Sequence, residues 1–146
     1  MPPVPIDASR RGPRGLALLV LVTGAVFGAL DALWLGVLSG GLYDERLGHL
    51  LAASPNVAAA AAFYVVYVLG LVHFVVRPGL ARDSRARALL DAAAFGVVTY
   101  ATFDLTAMAV FRDVPLLVVL VDIAWGALVC TATTAVVLAL VTRRPA

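Results

Sequence analysis

The stretch PLLVVLVDIAWGALVCTATTAVVLALV, residues 115–141, carries a single charged side chain, Asp122. A bilayer core is crossed by about 20 apolar residues in helical form. A run this long exceeds what a buried core helix needs, and it reads as a membrane-crossing helix with an acid inside it. Three similar runs lie upstream, at about residues 16–38, 56–76 and 88–110. The connection between the third and fourth runs is only Phe111 to Val114, so those two helices must be antiparallel neighbours.

The composition agrees. The chain has 146 residues, 62% of them hydrophobic and 14% charged, with a mean hydropathy of +0.99. Soluble domains carry about a quarter charged residues, so most of this surface faces something other than water. The expected fold is all-α, an integral membrane four-helix bundle. Residues 1–14 read as a flexible basic N-terminal tail, 15–142 as the transmembrane domain and 143–146 as a C-terminal tail. Positive charge followed by an apolar run also suits a signal peptide, but the first run exceeds the about 7–15 residues of such a segment. Ser54-Pro55 and Asp113 are the expected start signals of helices two and four, because a side-chain oxygen can take up free N–H groups and Pro suits a first turn.

The arginines set the expected orientation. Arg10, Arg11 and Arg14 precede helix one, Arg77, Arg82, Arg85 and Arg87 fall between helices two and three, and Arg143 and Arg144 follow helix four. Only Arg46 and Arg112 lie on the other side. Basic residues are retained in the cytoplasm, which puts both termini inside, in a multi-pass protein of a bacterial inner membrane. The helix 1–2 loop, with Tyr43, Asp44, Glu45 and His49, then faces outward.

Several functions are excluded. The net charge of +2 does not mark a nucleic-acid binder, because the arginines sit at the ends of apolar runs rather than in a patch. There is no Lys, so no Schiff base can form on a lysine amine. The single Cys130 permits neither an intramolecular disulfide nor a multi-cysteine metal site and reads as a small buried hydrophobe. His73, near the end of helix two, is distant from His49, so no haem or zinc site is expected. No cofactor and no metal is expected.

The informative residues are acids inside the apolar runs. An ionisable group at mid-membrane costs at least ~2.5–3.5 kcal/mol, and Asp31, Asp104 and Asp122 are retained against that cost. Asp31 lies seven residues before Leu38, Asp104 six before Val110 and Asp122 seven after Pro115. At 1.5 Å per residue each is about 10 Å inside the outer boundary, and Tyr64 in helix two shares that depth. Helical periodicity puts Ala93, Gly96, Tyr100 and Asp104 on one stripe of helix three, with Thr99, Thr102 and Thr106 beside it. Asp122, Trp125, Gly126, Val129 and Thr133 share a face of helix four, and Asn56, Ala60, Tyr64, Tyr67 and Leu71 a face of helix two. Polar faces turn into a bundle because lipid cannot satisfy their hydrogen bonds.

Asp31-Ala-Leu-Trp34 and Asp122-Ile-Ala-Trp125 form a weak internal echo in which Asp and Trp share a helical face. Each indole N–H can reach a carboxylate, its own or a neighbour's. No cation stands at this depth, so either at least one acid is neutral at pH 7 or a bound cation is shared. The plainer alternative is that neutral Asp side chains knit the helices together through Tyr64, Tyr100 and the Thr hydroxyls. Helix one also has small residues at every fourth position: Gly24, Gly28, Ala32, Gly36 and Gly40. Such a row permits close backbone approach, within the monomer or to a second copy. The expected partners are therefore the lipid bilayer, a homo-oligomer through helix one, and a proton, cation or small lipophilic ligand.

Five segments in order carry a family resemblance. They are Asp31-Ala-Leu-Trp34-Leu-Gly36, Leu47-Gly48-His49-Leu50, Pro55-Asn56 with Phe63-Tyr64-Val-Val-Tyr67, Tyr100-Ala-Thr102-Phe-Asp104-Leu-Thr106, and Asp122-Ile-Ala-Trp125-Gly126. From about Leu16 to Val141 the chain resembles the bacterial membrane-protein family catalogued as domain of unknown function 2177. The resemblance implies a four-helix inner-membrane protein and brings no activity and no catalytic residues with it. The expected polar site is Asp31, Trp34, Tyr64, Tyr67, Tyr100, Asp104, Asp122 and Trp125. Its best reading is transport or permeation of a proton, cation or small cationic solute. The alternatives are a membrane enzyme acting on a lipid or isoprenoid, and an accessory subunit of a larger membrane complex.

Overall fold

A computed structural model describes residues 12–39, 41–82 and 84–142. The described residues form α1 (Pro13–Leu33), a π-helical turn (Trp34–Leu38), α2 (Leu42–Leu47), α3 (Val57–Leu71), a second π-helical turn (Val72–Val76), α4 (Arg77–Ala81), α5 (Arg85–Val110) and α6 (Leu116–Thr142), with no strand among them. Four continuous segments are long and apolar enough to cross a membrane: Pro13–Val37, Val57–Ala81, Arg85–Val110 and Leu116–Thr142. These are spans one to four. Apart from residues 12–14, both expected tails lie outside the described residues, as does Gly40 of the glycine row.

The spans close into a ring. Span four packs along span three and against span one; span one packs on span two, and the Val72–Ala81 half of span two on span three. The core between them holds Phe27, Leu71, Val72, Val76, Val129, Cys130 and Val137. Outward positions such as Leu18, Leu21, Val66, Leu90 and Phe103 remain exposed, the large apolar surface that a lipid-facing bundle requires.

Several helix ends differ from the sequence expectation. Asn56, not Ser54, caps span two, its side chain accepting from Ala59 N at 3.0 Å. Pro115 opens span four, because its carbonyl takes the first bonds from Val118 and Val119. Asp113 instead occupies a left-handed turn at φ 60°, the short reversal that brings span four back beside span three. Span three begins at Arg85 rather than Ala88, since Ser84 Oγ accepts from Arg87 N.

Span two, expected to end at Val76, continues to Ala81. The reason is the π-helical turn, closed by the Arg77 N–H on the Val72 carbonyl. Pro78 follows it. Proline lacks an N–H and crowds the carbonyl four residues back, and a wider turn just ahead gives it room without ending the helix.

Lipid removes most of the hydrophobic drive for helix association, so close backbone packing must carry it. The tightest crossing joins spans three and four at Gly96 and Gly126. A Cβ on Gly96 would land on the Gly126 carbonyl, and one on Gly126 would strike the Tyr100 ring. The glycine row of span one is used much less within the chain. Gly24 makes ordinary contact with Val68 at 3.6 Å, while Gly28 and Gly36 have nothing within 4 Å. Within the chain, the closest glycine crossing is therefore between spans three and four.

Candidate functional site

With the span limits in place, Asp31 lies six residues before Val37, Asp104 six before Val110, Asp122 six after Leu116 and Tyr64 seven after Val57. At 1.5 Å per residue these are all about 9–10 Å from one end of the bundle. Asp31 and Asp104 are buried, at 8% and 5% exposure, and Asp122 is half-buried.

Asp31 ends a buried stripe of span one that begins with Thr23 and Phe27, spaced four residues apart so that all three face the core. Phe27 stands edge-on to Tyr64, with ring centroids 6.2 Å apart. That packing holds the Tyr64 hydroxyl where it donates to Asp31 Oδ2. Trp125 Nε1 of span four approaches Asp31 Oδ1 at 3.5 Å, a long contact rather than a full hydrogen bond.

The two Asp-x-x-Trp tetrapeptides meet crosswise. Trp34 and Trp125 stack with centroids 4.5 Å apart and planes 9° from parallel. Trp125 points its N–H at the acid of span one. Trp34 donates to Tyr43 Oη at 2.9 Å, and the Tyr43 hydroxyl donates to Asp122 Oδ1. Each tryptophan thus serves the opposite acid, one directly and one through a tyrosine.

Sequence position alone puts Tyr43 in an outward loop, outside the expected site. The chain turns back because Trp34–Leu38 adopts the wider π form, closed by Ser39 N on the Trp34 carbonyl at 2.8 Å, and Gly41 then takes φ 88°. A left-handed φ of that kind suits glycine, which lacks a Cβ to clash. The short helix α2 therefore lies over the acid layer and contacts span four. Burial first, then the hydrogen bond to Asp122, pushes the Tyr43 hydroxyl above the usual tyrosine range, so it remains a donor at any physiological pH. The Gly40-Gly41 pair is the only local sequence signal of the fold-back, and it says nothing of where Tyr43 ends.

The other expected residues divide. Asp104 is brought beside the layer by the Gly96–Gly126 crossing and lies within electrostatic reach of Asp122, which also feels Asp31. Its Oδ2 is buried with no hydrogen-bond partner among the described residues. Tyr100 packs against Gly126 and stands edge-on to Tyr67 with centroids 6.2 Å apart. Tyr67 does not join the acids. Its hydroxyl lies 2.8 Å from Thr99 Oγ1 and 3.2 Å from Cys130 Sγ, one step deeper. Cys130 is buried and free, and His73 is exposed, edge-on to Phe74. Among the described residues no three His, Cys, Asp or Glu side chains are grouped to hold a metal ion.

The family described as predicted membrane protein (DUF2177) matches residues 16–139. The chain belongs to that family. Its description carries no activity, and the match reaches into all four spans and includes every residue of the acid layer. No curated protein and no solved structure matches the chain.

Proposed function

We propose that this DUF2177 protein binds and passes a proton, or a small cation, through the carboxylate layer of its bundle. The observation that supports this reading is the convergence of Asp31, Asp104 and Asp122 from three spans at one depth, with aromatic O–H and N–H donors on Asp31 and Asp122. Among the described residues no Arg or His forms an ion pair with any of the three. Acids kept inside a membrane without a counter-charge are characteristic of proton and cation pathways. The donors are tyrosine and tryptophan, which hold a carboxylate in place without cancelling its charge. Asp104 Oδ2, buried and without a hydrogen-bond partner among the described residues, is the open acceptor of the layer.

The enzyme reading fits less well. Asp31 and Asp122 are each engaged by tyrosine donors, which favours exchange among fixed groups over acid–base attack on a lipid. We also place both termini in the cytoplasm of a bacterial inner membrane, on the nine-to-two division of arginines. A C-terminal reporter active only in the cytoplasm tests that orientation.

The test of function is reconstitution. Vesicles containing the protein should dissipate an imposed proton or monovalent-cation gradient faster than empty vesicles. Asp31→Asn, Asp104→Asn and Asp122→Asn should each lower the rate at least tenfold while eluting as folded protein. Rates unchanged in all three variants would remove this reading.

A further inference from the structure

The opposite end of the bundle carries a different kind of site. A groove of about 220 Å³ opens among the ends of spans two, three and four, lined by Gly79, Leu80, Arg82, Arg85, Leu138 and Thr142. Arg82 also borders a wider depression with Ala81, Ser84, Arg87 and Asp91.

The groove is built rather than incidental. Gly79 is buried, and a Cβ there would come within 3.0 Å of Ala88 Cβ, so the missing side chain lets spans two and three close beneath it. Arg85 of span three reaches across to span four and donates from Nη2 to the Ala135 carbonyl at 2.9 Å. That single bond leaves most of the five N–H donors of the guanidinium free. Arg82 is paired with Asp91, which holds it beside the groove while engaging only one of its nitrogens. The first turn of span three, capped by Ser84, adds the positive end of a 26-residue helix at the same level.

Residues 77–91 hold four arginines against Asp83 and Asp91. The acid-layer end holds Arg46 and Arg112 against Asp44, Glu45 and Asp113. Only the first of these ends attracts an anion. The groove also has two characters: guanidinium groups at its mouth, and Leu80 and Leu138 on its wall. It lies where three membrane spans end, at headgroup level. A ligand that fits carries a phosphate at one end and a hydrocarbon chain at the other.

We propose that this groove binds an anionic phospholipid, its phosphate on Arg82 and Arg85 and an acyl chain along Leu80 and Leu138. Basic pockets between helix ends are a recurrent way of holding acidic lipid headgroups. The site is independent of the acid layer, so either can fail alone.

The experiment is native mass spectrometry of the full chain released from vesicles of equal phosphatidylglycerol and phosphatidylethanolamine. The expected result is retained phosphatidylglycerol in clear excess. Arg82→Gln and Arg85→Gln should each reduce that excess about fivefold, the effect of one arginine at a lipid surface. Arg14→Gln, an exposed arginine at the same end of the bundle, should leave it unchanged. Equal retention of both lipids overturns the proposal, as does an equal loss in Arg14→Gln, which would mean diffuse surface attraction. Displacement of the bound lipid by millimolar inorganic phosphate would identify a free-phosphate site and also overturn it. Unchanged elution and melting of Arg82→Gln and Arg85→Gln separate lost lipid from lost fold.

Discussion

The bundle buries polar groups at two levels, and it treats them differently. At the acid layer, Asp31 and Asp122 receive hydrogen bonds from Tyr64 and Tyr43, residues 33 and 79 positions away in the chain. Deeper in, Thr23, Thr133 and Thr134 are fully buried, yet their hydroxyls have no partner among the described residues. Other threonines satisfy themselves locally, as Thr131 does on the Ala127 carbonyl at 2.7 Å. The cost of leaving a group unpaired explains the contrast. A lone hydroxyl forfeits about 1–3 kcal/mol, which a bundle tolerates, whereas a bare carboxylate costs several times more. Asp31 and Asp122 therefore recruit aromatic donors from distant elements, whereas Asp104 recruits none and its Oδ2 is buried without a partner among the described residues.

The comparison breaks most visibly at the crossing that separates the two levels. Gly96→Leu should abolish the folded bundle or destabilise it by more than about 3 kcal/mol, because the side chain would occupy the place of the Gly126 carbonyl. Thermal melting in detergent, with loss of the monodisperse peak, checks this. If Gly96→Leu melts like the parent, spans three and four do not cross there.

A smaller effect is expected at the layer itself. Tyr64→Phe keeps the ring against Phe27 but leaves Asp31 without its short-range donor, at a cost of about 1–3 kcal/mol. Tyr43→Phe should cost a similar amount at Asp122. Because the two tyrosines serve different acids joined by the Trp34–Trp125 stack, the double variant measures whether the layer acts as one unit. Additive losses would mean two separate pairs.

The smallest effect lies at the threonines and has the opposite sign. Thr133→Val removes an unpaired buried hydroxyl and keeps the shape of the side chain. Its stability should stay level or rise by up to about 1 kcal/mol. A clear loss would show that the hydroxyl has a partner such as an internal water, and would move Thr133 into the class of the acids.

Much of this was legible in the sequence, for a simple reason. Helix rise and apolar length are local properties, so the four spans and the common depth of Asp31, Asp104, Asp122 and Tyr64 follow from counting. The helical faces were nearly as readable: Gly96 and Asp104 are indeed on the buried side of span three, and Trp125, Gly126, Val129 and Thr133 on that of span four. The helix ends were less so, because Asn56, Ser84 and Pro115 compete with neighbours of similar capping ability. The pairing was not readable at all. Tyr67 shares a face with Tyr64 but lies one turn lower, where Thr99 and Cys130 meet it instead of an acid. Tyr43 sits beyond a π-helical turn and a left-handed glycine, and neither has a sequence pattern that reports its direction.

The residues by themselves determined that this chain crosses a membrane four times and how deep its acids lie, since both depend on hydrocarbon thickness and the pitch of a helix. The tertiary structure alone decided which donor meets which acid. That choice depends on how each span is rotated and how closely its neighbour approaches, and those are set by a glycine crossing between spans three and four and by a loop folded back over the bundle.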